Sequence, residues 1–236
     1  MNTLLKFQQG NAKLGKNIYT FSLPAGHSCP FANDCLSKAD KLTGKLTDGP
    51  NTQFRCFAAS AEAVYPNVRI ARWHNFDLLK KLNSNESKDL ILESLPKKAN
   101  IIRIHVSGDF FNQSYFMAWL QVAKLRPNVL FYAYTKSLIY WVNYIKEIPN
   151  NLVLNASEGG KLDAQINLHG LKFAKVVYSP EEAEKLGLSI DHTDEAAYKT
   201  KESFALLIHG QQPKGSKASQ SIKDLKARNI KFSYSN

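Results

Sequence analysis

Residues 101–125 read IIRIHVSGDFFNQSYFMAWLQVAKL. The first seven are mostly β-branched, as a strand wants, and Ser107-Gly108-Asp109 makes a polar elbow. The rest carries apolar side chains at helical spacing, with Asn112 as a good N-cap and Pro127 as a stop. This unit of strand, elbow and helix recurs along the chain.

Further strands are expected at 18–23 (IYTFSL), 129–134 (VLFYAY), 152–156 (LVLNA), 174–178 (AKVVY) and 204–209 (FALLIH). Helices are expected at 57–64, 86–95, 138–147 and 219–228, and an edge strand at 230–234. Ser179-Pro180-Glu181-Glu182 marks one more helix start, closed by Gly187. Six strands alternating with helices imply parallel pairing through right-handed crossovers. An open doubly wound sheet and a full or partial (β/α) barrel both satisfy that pattern. No linker or composition break divides the chain, so residues 1–236 are expected to form one α/β domain.

The composition belongs to a folded chain: 236 residues, 44% hydrophobic, 22% charged and 11% aromatic. That excludes intrinsic disorder. No run approaches the roughly 18 apolar residues of a membrane span. The N-terminal stretch lacks the apolar core and cleavage site of a signal peptide, so a cytoplasmic location is expected. The net charge of +11 is uneven, with an excess of four in residues 1–60 and five in 201–236. Such a surplus suits an anionic partner, nucleic acid included. The basic C-terminal segment, 210–236, has no compact lysine run and no aromatic residues between the lysines from 214 to 231, so a merely solvated surface is preferred.

The three cysteines, Cys29, Cys35 and Cys56, all fall in the first quarter. Without a secretion signal, an odd count argues against a disulfide framework. The spacing C-x5-C-x20-C puts all three in one polar loop, 24–57, after the first strand. Three thiolates can hold an iron–sulfur cubane and leave one iron open. The alternatives are zinc, with His27 as a fourth ligand, and three buried apolar thiols.

In folds of this class ligands sit at the carboxyl ends of the strands. The elbows there offer Ser107, Gly108 and Asp109, then Thr135 and Lys136, then Asn155 and Ser157. The segment His209-Gly210 to Lys217 has the shape of a phosphate loop but reads G-x4-G-S-K, one position out of register. His105 shares a strand face with Ser107 by alternation and is expected to be a satisfied core histidine. His74, beside Arg72 and Trp73, suggests a packed surface cluster. No zincin, hydrolase or dinucleotide-binding motif is present.

Taken together, the cysteine loop, the Gly-plus-carboxylate elbow and the six-stranded pattern resemble the radical S-adenosylmethionine superfamily. A closer resemblance is to the phage gene product 88 family. It rests on Cys29-Pro30, Cys56-Phe57-Ala58, the segment Arg103 to Phe110 and the run Phe131 to Ser137. The usual superfamily spacing is C-x3-C-x2-C, whereas here twenty residues separate Cys35 from Cys56. No cysteine follows Cys56, so no second metal site is expected.

The resemblance implies a partial (β/α)6 barrel holding a [4Fe–4S] cluster on Cys29, Cys35 and Cys56. S-adenosylmethionine would bind the open iron, with Phe57 or Phe54 near its adenine and Ser107-Gly108-Asp109 at its ammonium. Thr135, Lys136, Asn155 and Ser157 would complete the pocket, and an electron donor would be a partner. The rival expectation is a non-enzymatic iron–sulfur or zinc protein of a phage, working in the infected host and contacting nucleic acid or another protein.

Overall fold

The computed structural model describes residues 4–10, 14 and 17–232. Along the chain come β1 (Gln8–Gln9), β2 (Ile18–Ser22), β3 (Ser37–Ala39), β4 (Leu46–Asp48), α1 (Phe57–Val64), α2 (Pro66–Leu79) and α3 (Ser84–Ser94). Then follow β5 (Ile101–Ser107), α4 (Gln113–Leu125), β6 (Leu130–Thr135), α5 (Leu138–Asn143), β7 (Leu152–Ser157) and α6 (Ala164–His169). The last are β8 (Phe173–Val177), α7 (Pro180–Lys185), β9 (Ser189–Ile190), α8 (Ala196–Lys199), β10 (Phe204–Leu207) and α9 (Lys217–Ala227).

Eight strands form one sheet in the order β1-β2-β5-β6-β7-β8-β10-β9, and β3 pairs with β4 as a separate hairpin. Every pairing in the large sheet is parallel except β1 with β2. The six strands expected from sequence are β2, β5, β6, β7, β8 and β10, and they lie side by side in chain order. This is one α/β domain with a mainly parallel sheet.

One sheet face is buried under α2 to α6. Phe21, Ile102, Ile104, Phe131, Ala133 and Leu154 point there and meet Leu79, Ile91, Phe116 and Trp119 in the main core cluster. The opposite face carries Ile18, Tyr132, Ala174 and Phe204, packed with Ala197 of α8. Helix α4 begins as expected, with Asn112 Oδ1 accepting from Tyr115 N at 2.8 Å.

Several expectations need correction. Helix α2 was absent from them because its buried positions are Arg69, Arg72, Asn75 and Leu79, so its inward stripe looks polar. The polar β3–β4 hairpin escaped for the same reason. Helix α5 ends at Asn143, and Ile145–Glu147 continue only as a 3-10 turn, because this β-branched and aromatic run has low helix propensity. Ile230 to Phe232 form no strand, and the last two residues of that expected edge lie outside the described residues. Among the described residues no helix is long and apolar enough to cross a membrane.

A cysteine-lined cavity at the carboxyl end of the sheet

All three cysteines line one cavity, which occupies about 970 Å³ including its mouth. Phe57, Ser107, Gly108, Asp109, Lys136 and Ser157 line it too, as do Phe54 and Arg55. Thr135 and Asn155 do not. Thr135 stands behind Asp109, and Asn155 Nδ2 donates to Ala133 O and Ala197 O at 3.2 and 3.0 Å. Asn155 shares a sheet face with Ser157, but its amide is taken up by the carbonyl of Ala197 in α8.

The loop that carries the thiols is held by its own backbone. Ser28 N and Oγ both donate to Pro24 O, at 3.1 and 2.8 Å, closing the turn that presents Cys29. The Gly26 amide donates to Cys29 Sγ at 3.3 Å. Near Cys35, Asp34 N donates to Gly159 O and Lys161 N to Phe31 O, both at 2.9 Å, fastening the loop to the end of β7. Cys56 is the N-cap residue of α1, and its amide donates to Ser37 Oγ at 3.3 Å. The excursion 36–55 between them folds as the β3–β4 hairpin. Arg55 donates to both Asp48 oxygens, and Arg69 donates to the carbonyls of Lys41 and Leu42. Those bonds tie the excursion to its own end and to α2.

The thiols influence one another. Burial pushes the Cys29 thiol well above its usual pKa, and Asp109, Cys56 and Cys35 add to the rise. Burial and Cys35 push Cys56 up to about 11, against the opposing amides of Ala59 and Ala58 and the charge of Arg72. Among the described residues, no group of three or more His, Cys, Asp or Glu side chains is arranged to hold one metal ion. His27 is turned away from the thiols, with Nε2 3.0 Å from Ala39 O and its ring 4.9 Å from that of Trp73.

Asp109 is buried, and its carboxylate clasps two strand ends. Oδ1 accepts from Phe110 N at 2.7 Å and Thr135 Oγ1 at 2.6 Å, while Oδ2 accepts from Lys136 N at 2.8 Å. Burial raises its pKa to about 6 despite those bonds. Lys136 Nζ donates to Ser157 O, Ser157 Oγ and Glu158 O, none of them a carboxylate. Gly108 has φ +85°, and a Cβ there would stand 2.5 Å from Ser28 Oγ and 2.7 Å from Leu23 Cβ. The glycine therefore serves the close approach of the cysteine loop to β5.

Beside the cavity β5 is irregular. Thr20 pairs with Arg103 and Ser22 with Ser107, so four steps of β5 oppose two of β2. Pairing of β5 with β6 ends at Ile104 and Ala133. His105, at φ +64°, turns into the helix-covered face among Phe21, Phe110 and Tyr115. It is a core histidine as expected, but it does not share a face with Ser107. Nor is it satisfied: Nε2 lies 3.0 Å from Tyr115 OH, and Nδ1 is buried without a hydrogen-bond partner. Burial lowers its pKa to about 3.

Sequence reasoning did not single out Arg103, Tyr134 or Glu62 as site residues, and it placed His209 only in a strand-end loop. Arg103 and Tyr134 line the floor, where Arg103 Nη1 and Tyr134 OH donate to Asp194 at 2.7 and 2.9 Å. Two-residue alternation along β5 and β6 would have found them. His209 lies at the rim with its ring 5.0 Å from that of Phe57. Glu62 is fully buried and bonds Arg72 at 2.7 Å, so Arg72 belongs to no surface cluster. Nothing in the alanine-rich sequence of α1 signalled Glu62.

The gene product 88 family model matches residues 3–230, and the chain belongs to that family. The Gene 88 proteins of Mycobacterium phages L5 and D29 are each 30% identical to it over 138 residues. That alignment covers 54% of this chain and 51% and 50% of theirs, so the chain spans about half the length of the curated relatives it matches. No solved structure matches the chain.

Proposed function

We propose that this gene product 88 protein carries a [4Fe–4S] cluster on Cys29, Cys35 and Cys56 and binds S-adenosylmethionine in the same cavity. In this reading the six sequential strands form a partial (β/α)6 barrel of the radical S-adenosylmethionine kind. The observation that carries it is the convergence of the three thiols on one cavity at the carboxyl end of the sheet, beside Asp109 and Lys136.

Three thiols that line one cavity are the donor set a cubane with one open iron takes. A single tetrahedral zinc needs its thiolates crowded about one centre at about 2.3 Å. A cubane spreads three thiolates over three irons. The Gly26 N–H to Cys29 Sγ bond would stabilise a thiolate ligand, and the N-terminus of α1 faces Cys56. When bound, such a cluster supplies the electron for reductive cleavage of the sulfonium bond.

The chain's own groups would bind and orient the ligand. Asp109 Oδ2 accepts one bond and has room for a second, from an ammonium. Lys136 offers a positive charge to a carboxylate on the same ligand. Phe57 and His209 present ring faces at the rim for an adenine. Val176, Leu206 and Ile208 line the cavity as an apolar wall that limits water. The setting would be the cytoplasm of an infected host, with an electron-donating protein as partner.

Protein purified without air tests this. It should be brown, absorb broadly near about 400 nm and contain iron and sulfide in near-equal amounts. S-adenosylmethionine should bind that form and not the metal-free one. Colourless protein with stoichiometric zinc would overturn the reading. A cluster with no affinity for S-adenosylmethionine would favour the non-enzymatic alternative, a metal-bearing accessory protein that contacts nucleic acid or another protein.

A further inference from the structure

We propose that Glu62 is the positioning residue of the cysteine loop, a single buried carboxylate that sets the elements carrying Cys29, Cys56 and the Ser107-Gly108-Asp109 elbow relative to one another. The proposal rests on the reading of the cavity as a cluster site and extends it to a residue outside the cavity.

Glu62 lies six residues after Cys56, on the helix that Cys56 begins. Its Oε1 accepts from Ala25 N at 2.8 Å, at the root of the loop that turns through Cys29. The same oxygen accepts from Ser107 Oγ at 3.2 Å, at the end of β5. A third bond, from Arg72 Nη1 at 2.7 Å, joins it to α2, and Arg72 Nη1 also donates to Ala58 O at 2.8 Å. Three segments distant in sequence thus meet at one atom. Its other oxygen, Oε2, is buried with no hydrogen-bond partner.

A fully buried carboxylate with one unpartnered oxygen is costly for stability alone, and a well-packed apolar residue is often equal or better at such a place. What an apolar residue cannot do is accept three convergent donors. The geometry therefore serves placement, and the placed groups are those that frame the cavity.

The test compares thiol alkylation in metal-free protein at pH 8, read residue by residue by peptide mass, in wild type, Glu62→Ala and Glu62→Gln. Loss of the anchor in Glu62→Ala should speed iodoacetamide attack on Cys29 and Cys56 by about ten-fold or more, equivalent to about 1.4 kcal/mol. Cys35, fastened instead to Gly159 through Asp34 N, should change less than about two-fold. Glu62→Gln keeps an oxygen for Ala25 N and should restore most of the protection. Equal acceleration at all three thiols in Glu62→Ala would make Glu62 a support for the whole domain and overturn the proposal. Unchanged rates would overturn it equally.

A second readout belongs to the cluster. With iron and sulfide supplied, Glu62→Ala should take up less iron than wild type, and Glu62→Gln should recover it. Wild-type protein that takes up no iron would refute the cluster reading while leaving the alkylation result to decide on Glu62.

Discussion

The carboxylate of Asp109, at the end of β5, accepts the backbone amide of Lys136, just past β6, at 2.8 Å. Pairing between those strands stops at Ile104 and Ala133, so this clasp closes the gap that the irregular β5 leaves. Asp109→Asn would place an NH₂ group against either Lys136 N–H or Phe110 N–H. It should cost about 1–3 kcal/mol in urea unfolding, the penalty for a buried donor left unsatisfied. If the ligand's ammonium also bonds there, S-adenosylmethionine affinity should fall by a further 1.5–3 kcal/mol or about that. Unchanged stability would mean the clasp is dispensable.

Opposing acid sensitivities should emerge from His105 and Asp109. His105 titrates at about 3 folded and near 6.5 unfolded, so the unfolded chain takes up its proton first as pH falls. Its stabilising contribution is full above pH 6.5 and is lost toward pH 3, by about 5 kcal/mol at most. Asp109, raised to about 6 from 3.8, works the other way: stability falls as pH rises between those values, by about 3 kcal/mol. Urea titrations from pH 4 to 6.5 should show a shallow rise with pH in wild type and a reversed slope in His105→Asn. Asparagine is chosen because it tolerates the positive φ. Identical slopes would remove His105 as the cause.

Gly108→Ala should be among the most damaging single changes. Its Cβ would fall within 2.5 Å of Ser28 Oγ, at a φ of +85° that alanine resists. A loss of about 2 kcal/mol or more is expected from strain and clash together. A melting temperature equal to wild type would show that the cysteine loop can lift away from β5 at little cost.

Cys29→Ala, Cys35→Ala and Cys56→Ala should each lose most of the bound iron, because three thiolates are the minimum set for the proposed cubane. The 36–55 excursion should nevertheless resist proteolysis in all three variants, since Arg55–Asp48 and the hairpin hold it independently. Cleavage within 36–55 of metal-free protein, at a rate far above the rest of the chain, would count against that anchoring.

Phe57→Ala tests the rim. Phe57 is 38% exposed and packs mainly on His209, so its removal should change stability little. Loss of a stacking face should weaken binding of an adenine-bearing ligand by about 1–3 kcal/mol. Equal affinity in both proteins would place the adenine elsewhere.

The sequence alone determined the six parallel strands, most helices between them and the loop that carries the thiols. These are local matters: β-branched runs, caps such as Asn112 and Ser179, and prolines act through their immediate neighbours. Tertiary structure decided which polar groups the cavity uses. Asp109 and Thr135 sit 26 residues apart and Ala25 and Glu62 are separated by 37, so no local pattern records that they bond. Helix α2 shows the same limit from the other side, because its inward Arg69, Arg72 and Asn75 look like a surface until their distant acceptors are in place. Apolar burial follows periodicity, whereas a buried polar group is acceptable only beside a partner. That partner is supplied by the fold.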